Sequence, residues 1–228
     1  MKKIISAKVY AILSVILSTL LMCVVDGVIS PPYVYKSAIK IVLFLFVPLV
    51  YFAVWKEKST YLKQLFVPKK KGFLLALSLG LAVFAVILGA YFALRSFIDF
   101  SGIKDSLTSG IGVNADNFLF VAIYISFVNS LLEEFFFRGF AFLVLKQEVG
   151  RTFAYVFSAA TFALYHVGIT SGWFNPWIYL LSMLGLFVGG GIFNFLNDKL
   201  GNIYPSWLVH MFANFAINTI GFILFGIL

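Results

Sequence analysis

Charge is what this chain has least of. Only 11% of its 228 residues are charged, with 9 acidic residues and 2 histidines. Cysteine is nearly missing as well. Cys23 is the single one and lies in an apolar run, which excludes a disulfide framework and a cysteine-based metal site. No internal repeat is present, so a transporter built of inverted halves finds no support. His-Glu-x-x-His is absent, and no phosphate-loop context surrounds the glycines.

What the chain does have is hydrophobe. It is 62% hydrophobic, with 28 Phe and a mean hydropathy of +1.02. A soluble domain of this length could not hide so much apolar surface, so the expected fold class is an all-α polytopic membrane protein. Continuous rather than alternating apolar runs exclude a β-barrel. The net charge of +8 does not imply a nucleic-acid partner. The lysines cluster between apolar runs, where topology and contact with the lipid bilayer account for them.

The N-terminus, Met1-Lys2-Lys3 and Lys8 before an apolar run to Val25, resembles a signal peptide in charge. The run is too long for one and lacks a small-residue cleavage site; Met22 also argues against lipidation at Cys23. An uncleaved first span is expected. Further runs of spanning length, about 20 residues each, place helices at roughly 8–29, 37–55, 72–97, 117–145, 152–170, 176–196 and 203–228. That is a bundle of seven spans, or eight if a broken helix hides another. Pro48 is expected to kink the second, and Arg95 to snorkel from the third. Gly185, Gly189, Gly190 and Gly191 in the sixth read as a surface for close helix approach.

An odd span count puts the termini on opposite sides. Lys2, Lys3, Lys8, the linker carrying Lys56, Lys58, Lys63, Lys69, Lys70 and Lys71, and the Lys146/Arg151 turn share one side. The positive-inside rule makes that side, and the N-terminus, cytoplasmic. Residues 1–116 supply N-terminal helices and loops, and 117–228 a polar transmembrane core, within one structural domain.

The few intramembrane charges are therefore informative, since each costs about 2.5–3.5 kcal/mol on insertion scales. Glu133 and Glu134 are adjacent, and Arg138 follows Glu134 by four, on one helix face in the order that favours pairing. Glu134 reads as a positioning group. Glu133 points roughly 100° away from that pair, so it has no local cation, and reads as the carboxylate that moves protons. His166 lies in the fifth span; His210 and Asn214 stand four apart on the seventh. Counted at 1.5 Å per residue, Glu133 is about 15–18 Å deep, His166 about 21 Å and His210 about 10 Å, so one shared intramembrane catalytic cavity is geometrically feasible. Asp26, Lys40 and Asp198 sit close to span ends, where interface or structural roles are expected. Asn129, one turn before Glu133, reads as support for that acid or as a packing residue, with packing preferred.

Taken singly, His166 and Asn214 read as structural hydrogen-bonders and the Glu134–Arg138 pair as a packing device. Together the set has the logic of peptide hydrolysis. Glu133 with His166 can activate water, while His210 and Asn214 donate to an oxyanion. No aspartate stands near for a Ser/His/Asp triad. Zinc held by Glu133, His166 and His210 ranks second to a site without cofactor.

Glu-Glu-x-x-x-Arg (Glu133, Glu134, Arg138), Phe-x-x-x-His (Phe162, His166) and His-x-x-x-Asn (His210, Asn214), in order on separate spans, resemble the three-motif signature of the CPBP (CaaX protease and bacteriocin-processing, or Abi) intramembrane proteases. The resemblance covers roughly 117–220. It implies a helical bundle with a catalytic cavity in the bilayer, opening to the cytosol. Glu133 and His166 would activate water, His210 and Asn214 would form the oxyanion site, and Glu134, Arg138 and Phe162 would support them. The compact chain looks like the bacterial members, associated with bacteriocin immunity and peptide maturation. That implies a bacterial plasma-membrane protein acting on a membrane-associated peptide or protein. Two other classes stay open: a non-proteolytic scaffold or immunity protein that binds a partner, and a proton-coupled transporter using the same residues as a relay.

Overall fold

The computed structural model describes residues 5–70 and 72–228; Lys2, Lys3 and Lys71, counted above for topology, lie outside them. The described residues form helices and no strand. We number them α1 (Ala7–Ile29), α2 (Tyr33–Val54), α3 (Ser59–Leu65), α4 (Phe73–Leu94), α5 (Ser101–Asp105), α6 (Phe118–Val149), α7 (Arg151–Thr170), α8 (Pro176–Leu200) and α9 (Tyr204–Leu224). Seven of these, all but α3 and α5, are long and apolar enough to cross a membrane. The chain is an integral membrane protein of all-α class, and no eighth candidate span occurs among the described residues.

Local chemistry sets the boundaries. Ser30 in the left-handed region, followed by Pro31-Pro32, ends α1 and starts α2. Gly150, at φ +88°, separates α6 from α7. Asn175 caps α8 by accepting from the backbone N–H groups of Trp177 and Ile178, with Pro176 in the first turn. The third span stops at Leu94 and the seventh at Leu224, three and four residues short of expectation, and three other ends differ for local reasons. The second span starts at Tyr33, four residues early, because Pro32 sets its first turn. The sixth runs on to Leu200, since Asp198 is held by Lys146 at 2.7 Å and Arg151 at 2.6 Å and only Gly201 stops the helix. The fourth continues to Val149 for want of any breaker before Gly150.

Helix α6 is the centre. Every residue from Leu132 to Leu145 is buried, so this stretch has neighbours all round and no lipid face. It also contains two π-helical segments, Tyr124–Asn129 and Glu134–Val144, a form that recurs at functional sites. Helix α2 has its own π-helical segment at Val42–Phe46, just before Pro48, which absorbs the break that a proline imposes. There Phe44 stacks on Phe136 with centroids 4.1 Å apart and meets Phe137 and Tyr165 edge-on at 5.3 Å. Such aromatic pairs contribute about 0.5–1.5 kcal/mol each beyond their buried area. They hold α2 against α6 and α7.

Small residues bring other helices close, but not all those expected. Gly190 lies against Ala159 of α7, and Tyr155 donates to the Gly191 carbonyl at 2.5 Å. Gly185 and Gly189 have nothing within 4 Å of where a side chain would begin, so the four glycines are not one packing surface. The tightest backbone-to-backbone approach at a described glycine is α1 on α7, where Gly168 meets Gly27 and the carbonyl of Cys23. Buried polar side chains tie the remaining helices. Ser158 donates to the Phe137 carbonyl at 2.7 Å, and Asn194 to the Tyr155 carbonyl at 3.0 Å.

Candidate active site

Two adjacent carboxylates on α6 begin the site. Glu133 ends a short α-helical stretch, Ser130–Glu133, and Glu134 opens the second π-helical segment. Both are buried, Glu133 at 2% exposure and Glu134 at 0%. Being neighbours on a helix they face different ways, and each has gathered its own partners.

Glu134 has the pairing anticipated from spacing. Its Oε2 is 3.7 Å from Arg138 Nε, an ion pair beyond hydrogen-bond reach. The Ser206 hydroxyl donates to Oε2, and His210 Nδ1 lies 2.9 Å from Oε1. Ser206 in turn accepts from Asn197 Nδ2 at 2.6 Å. Arg138 is wholly buried, and its three nitrogens have no hydrogen-bond acceptor. It lies between aromatic faces instead, 3.8 Å from the Phe162 centroid and 4.9 Å from that of Phe193. Desolvated cation–π contacts of this kind are worth up to about 2 kcal/mol each.

Glu133 is not the lone carboxylate that spacing along α6 suggested. Lys40 Nζ donates to its Oε1 at 3.2 Å, Asn129 Nδ2 at 2.8 Å and the Tyr165 hydroxyl at 3.1 Å. Lys40 also donates to Asn129 Oδ1 at 2.6 Å, closing a triangle. Two expectations are corrected here. Lys40 is no interface residue: it lies inside α2, 5% exposed, because the Glu133 carboxylate attracts it there. Asn129 is not simply packing, since one amide both accepts from the cation and donates to the acid. Asp26 is likewise buried, paired with Lys36 at 2.6 Å.

The imidazoles come from α7 and α9 and meet around one phenyl ring. Phe162 stands edge-on to His166 at 4.6 Å and to His210 at 6.1 Å. His166 Nδ1 lies 2.8 Å from the Phe162 carbonyl. A carbonyl only accepts, so Nδ1 carries the proton and the neutral ring has its lone pair at Nε2. His166 is half-buried and within electrostatic reach of Glu133 and His210. His210 Nε2 stands 3.8 Å from Glu133 Oε2. The imidazole of His210 is thus flanked by both carboxylates.

Asn214 is tied to the main chain of α6. One turn beyond His210, it donates to the Ile125 carbonyl at 3.2 Å. Asn218 does the same to Ala122, and Trp207 Nε1 reaches the Phe127 carbonyl at 3.3 Å. These carbonyls lie in or beside the first π-helical segment of α6, whose widened turns leave main-chain acceptors for α9. The two clefts described, one at Arg151, Thr152, Tyr155 and Val156 and one between Tyr91 and Lys104 with Leu224, include no site residue. Among the described residues no group of three His, Cys, Asp or Glu is arranged to hold a metal ion.

Buried acids, cations and imidazoles gathered from α2, α6, α7 and α9 define the class: an integral membrane protein with an ionisable cluster enclosed in its helix bundle. Residues 115–216, which carry all three motifs, match the family model described as Type II CAAX prenyl endopeptidase Rce1-like. This is the CPBP family that the motifs resemble, and the match supports a CAAX-type intramembrane protease in general. No curated protein and no solved structure gives a significant match.

Proposed function

We propose that the protein is an intramembrane endopeptidase that hydrolyses a peptide bond of a membrane-associated peptide or protein. The observation that carries this is the tautomer of His166. With Nδ1 committed to the Phe162 carbonyl, its Nε2 is left as an acceptor on a ring within electrostatic reach of Glu133, and a water held between the two can be deprotonated. The hydroxide attacks the scissile carbonyl. Its oxyanion is met by Nε2–H of His210 when that ring carries both protons, and by Asn214, whose amide has a second N–H beyond the one given to Ile125. The proton taken from water passes to the leaving amine. Glu134, with Arg138 and Ser206 behind it, orients His210 through Nδ1.

A route without cofactor suits this donor set better than zinc, because Lys40 already supplies a cation to Glu133 and no three-ligand cluster is arranged among the described residues. Compact size and minimal loops favour a bacterial plasma-membrane setting with the N-terminus cytoplasmic, and a role in bacteriocin immunity or peptide maturation. The test is a comparison of membrane peptides in cells carrying the wild type, Glu133→Gln, His166→Ala or His210→Ala. Cleavage products in the wild type that vanish in all three variants, at equal insertion, are expected. Undiminished cleavage by all three would refute the reading. A retained phenotype with no cut substrate would favour a partner-binding scaffold.

A further inference from the structure

Three hydrogen-bond donors converge on a single oxygen of Glu133, and the charged one comes from a helix that the family match does not reach. Residues 115–216 include Asn129 and Tyr165, but Lys40 lies on α2, far outside them. Its ammonium is 3.2 Å from Glu133 Oε1 and 2.6 Å from Asn129 Oδ1, and its side chain is 6% exposed. The nitrogen also lies 4.9 Å from the centroid of Tyr165, whose hydroxyl reaches the same carboxylate oxygen. All three donors fall on Oε1. Among the described residues Oε2 has no hydrogen-bond donor, and the His210 imidazole stands 3.8 Å from it.

From this one-sided arrangement we infer that Lys40 is a positioning residue for the proposed hydrolysis: with Asn129 and Tyr165 it clamps Oε1, supplies the counter-ion of Glu133, and turns Oε2 alone toward His210 and the reacting water. The inference rests on the endopeptidase reading and deepens it. A carboxylate free to rotate would offer either oxygen, and a general base misplaced by about 1 Å can lose two orders of magnitude in rate. Lys40 acts through Glu133 and touches neither water nor substrate. Asn129 is the link, since its amide accepts from the cation and donates to the acid. Replacing that amide by a carboxylate keeps its shape, removes the donor, and draws the ammonium away from Glu133.

The experiment compares wild type, Glu133→Gln, Lys40→Met, Lys40→Arg and Asn129→Asp in detergent micelles, on the substrate identified by the peptide comparison. Lys40→Met and Asn129→Asp are expected to lower kcat by about 100-fold with KM within about two-fold, the mark of a contact that matters in the transition state. Lys40→Arg should recover much of the loss by restoring a cation. A second readout needs no turnover. The infrared band of the Glu133 carboxylate, isolated as the difference between wild type and Glu133→Gln, should move in Lys40→Met. A wild type that cleaves, a dead Glu133→Gln, and unchanged kcat in both Lys40→Met and Asn129→Asp would overturn the inference and leave the endopeptidase intact. An unmoved carboxylate band would overturn it even if no substrate is cleaved.

Discussion

Replacing Arg138 by methionine should do more damage than the removal of one surface-type ion pair, and the structure shows why. The guanidinium is 0% exposed and 3.7 Å from a carboxylate that is also 0% exposed. At an effective dielectric near 20, that separation corresponds to about 4 kcal/mol of attraction. Once Arg138 is gone, Glu134 stays buried with only Ser206 and His210 beside it. Removing one partner of a buried pair typically costs about 3–5 kcal/mol, because the other charge is left uncompensated. The stacking on Phe162 and Phe193 is lost as well. Glu134→Gln alone should cost a similar amount, by stranding the guanidinium. The double variant removes both charges, so its loss should fall short of the sum of the two singles by at least about 2 kcal/mol. Reversible unfolding in mixed detergent micelles, run as a double-mutant cycle, measures this. Additivity to within about 0.5 kcal/mol would show that the two residues do not act as a unit, and the account of Glu134 as an oriented group would fail.

Other consequences are smaller. Gly168→Ala should destabilise by about 1–3 kcal/mol through overpacking against the α1 backbone, whereas Gly189→Ala, with nothing within 4 Å, should stay within about 0.5 kcal/mol of wild type; thermal unfolding compares them. Asn218→Ala, which gives up bonds to the Ala122 carbonyl and Ser126, should cost about 0.6 kcal/mol, as interhelical hydrogen bonds in membranes do on average. Lys58 outside the spans is held 2.6 Å from Glu148. Its pKa is raised chiefly by that hydrogen bond, so its contribution is complete at neutral pH and fades only as pH climbs past the usual lysine range. Lys58→Met should therefore cost no more than about 1 kcal/mol at pH 7, and less in strong alkali, as denaturation at the two pH values would show.

Which of these features could be read from residue order depends on how local they are. The spans were legible because a spanning helix is defined by a run of apolar residues, and the Glu134–Arg138 pair because residues four apart on a helix meet whatever surrounds them. The partners of Glu133 were not, since Lys40 and Tyr165 approach from other helices and nothing in their own neighbourhoods states the register. A signal did exist. Lys40 is flanked by Ile39 and Ile41 within an apolar run, and a cation at that position needs an anion. Glu133, an acid with no cation on its own face of the helix, was the obvious candidate. The bond from Asn214 to the Ile125 carbonyl was illegible for another reason. It depends on carbonyls left available by the π-helical stretch of α6, and a change in helical winding leaves no mark in an almost uniformly apolar run.

One feature of the cluster explains why two cations are kept at a depth where each is costly. Glu133 is matched by Lys40 and Glu134 by Arg138, so the fixed charges cancel pair by pair. Apolar substitutes for both pairs could well give a more stable bundle, since buried ion pairs seldom repay their desolvation. They would also abolish the surroundings of His210, which lies between the two carboxylates at 2.9 and 3.8 Å. A cluster of zero fixed charge lets an imidazole take up a proton and give it back while the core never holds more than one net charge. With one cation missing, every stage of such a transfer would take place beside an uncompensated carboxylate. Stability and proton traffic would therefore make opposite demands on these four residues, and the arrangement of Lys40, Glu133, Glu134 and Arg138 is the one that the proposed hydrolysis calls for.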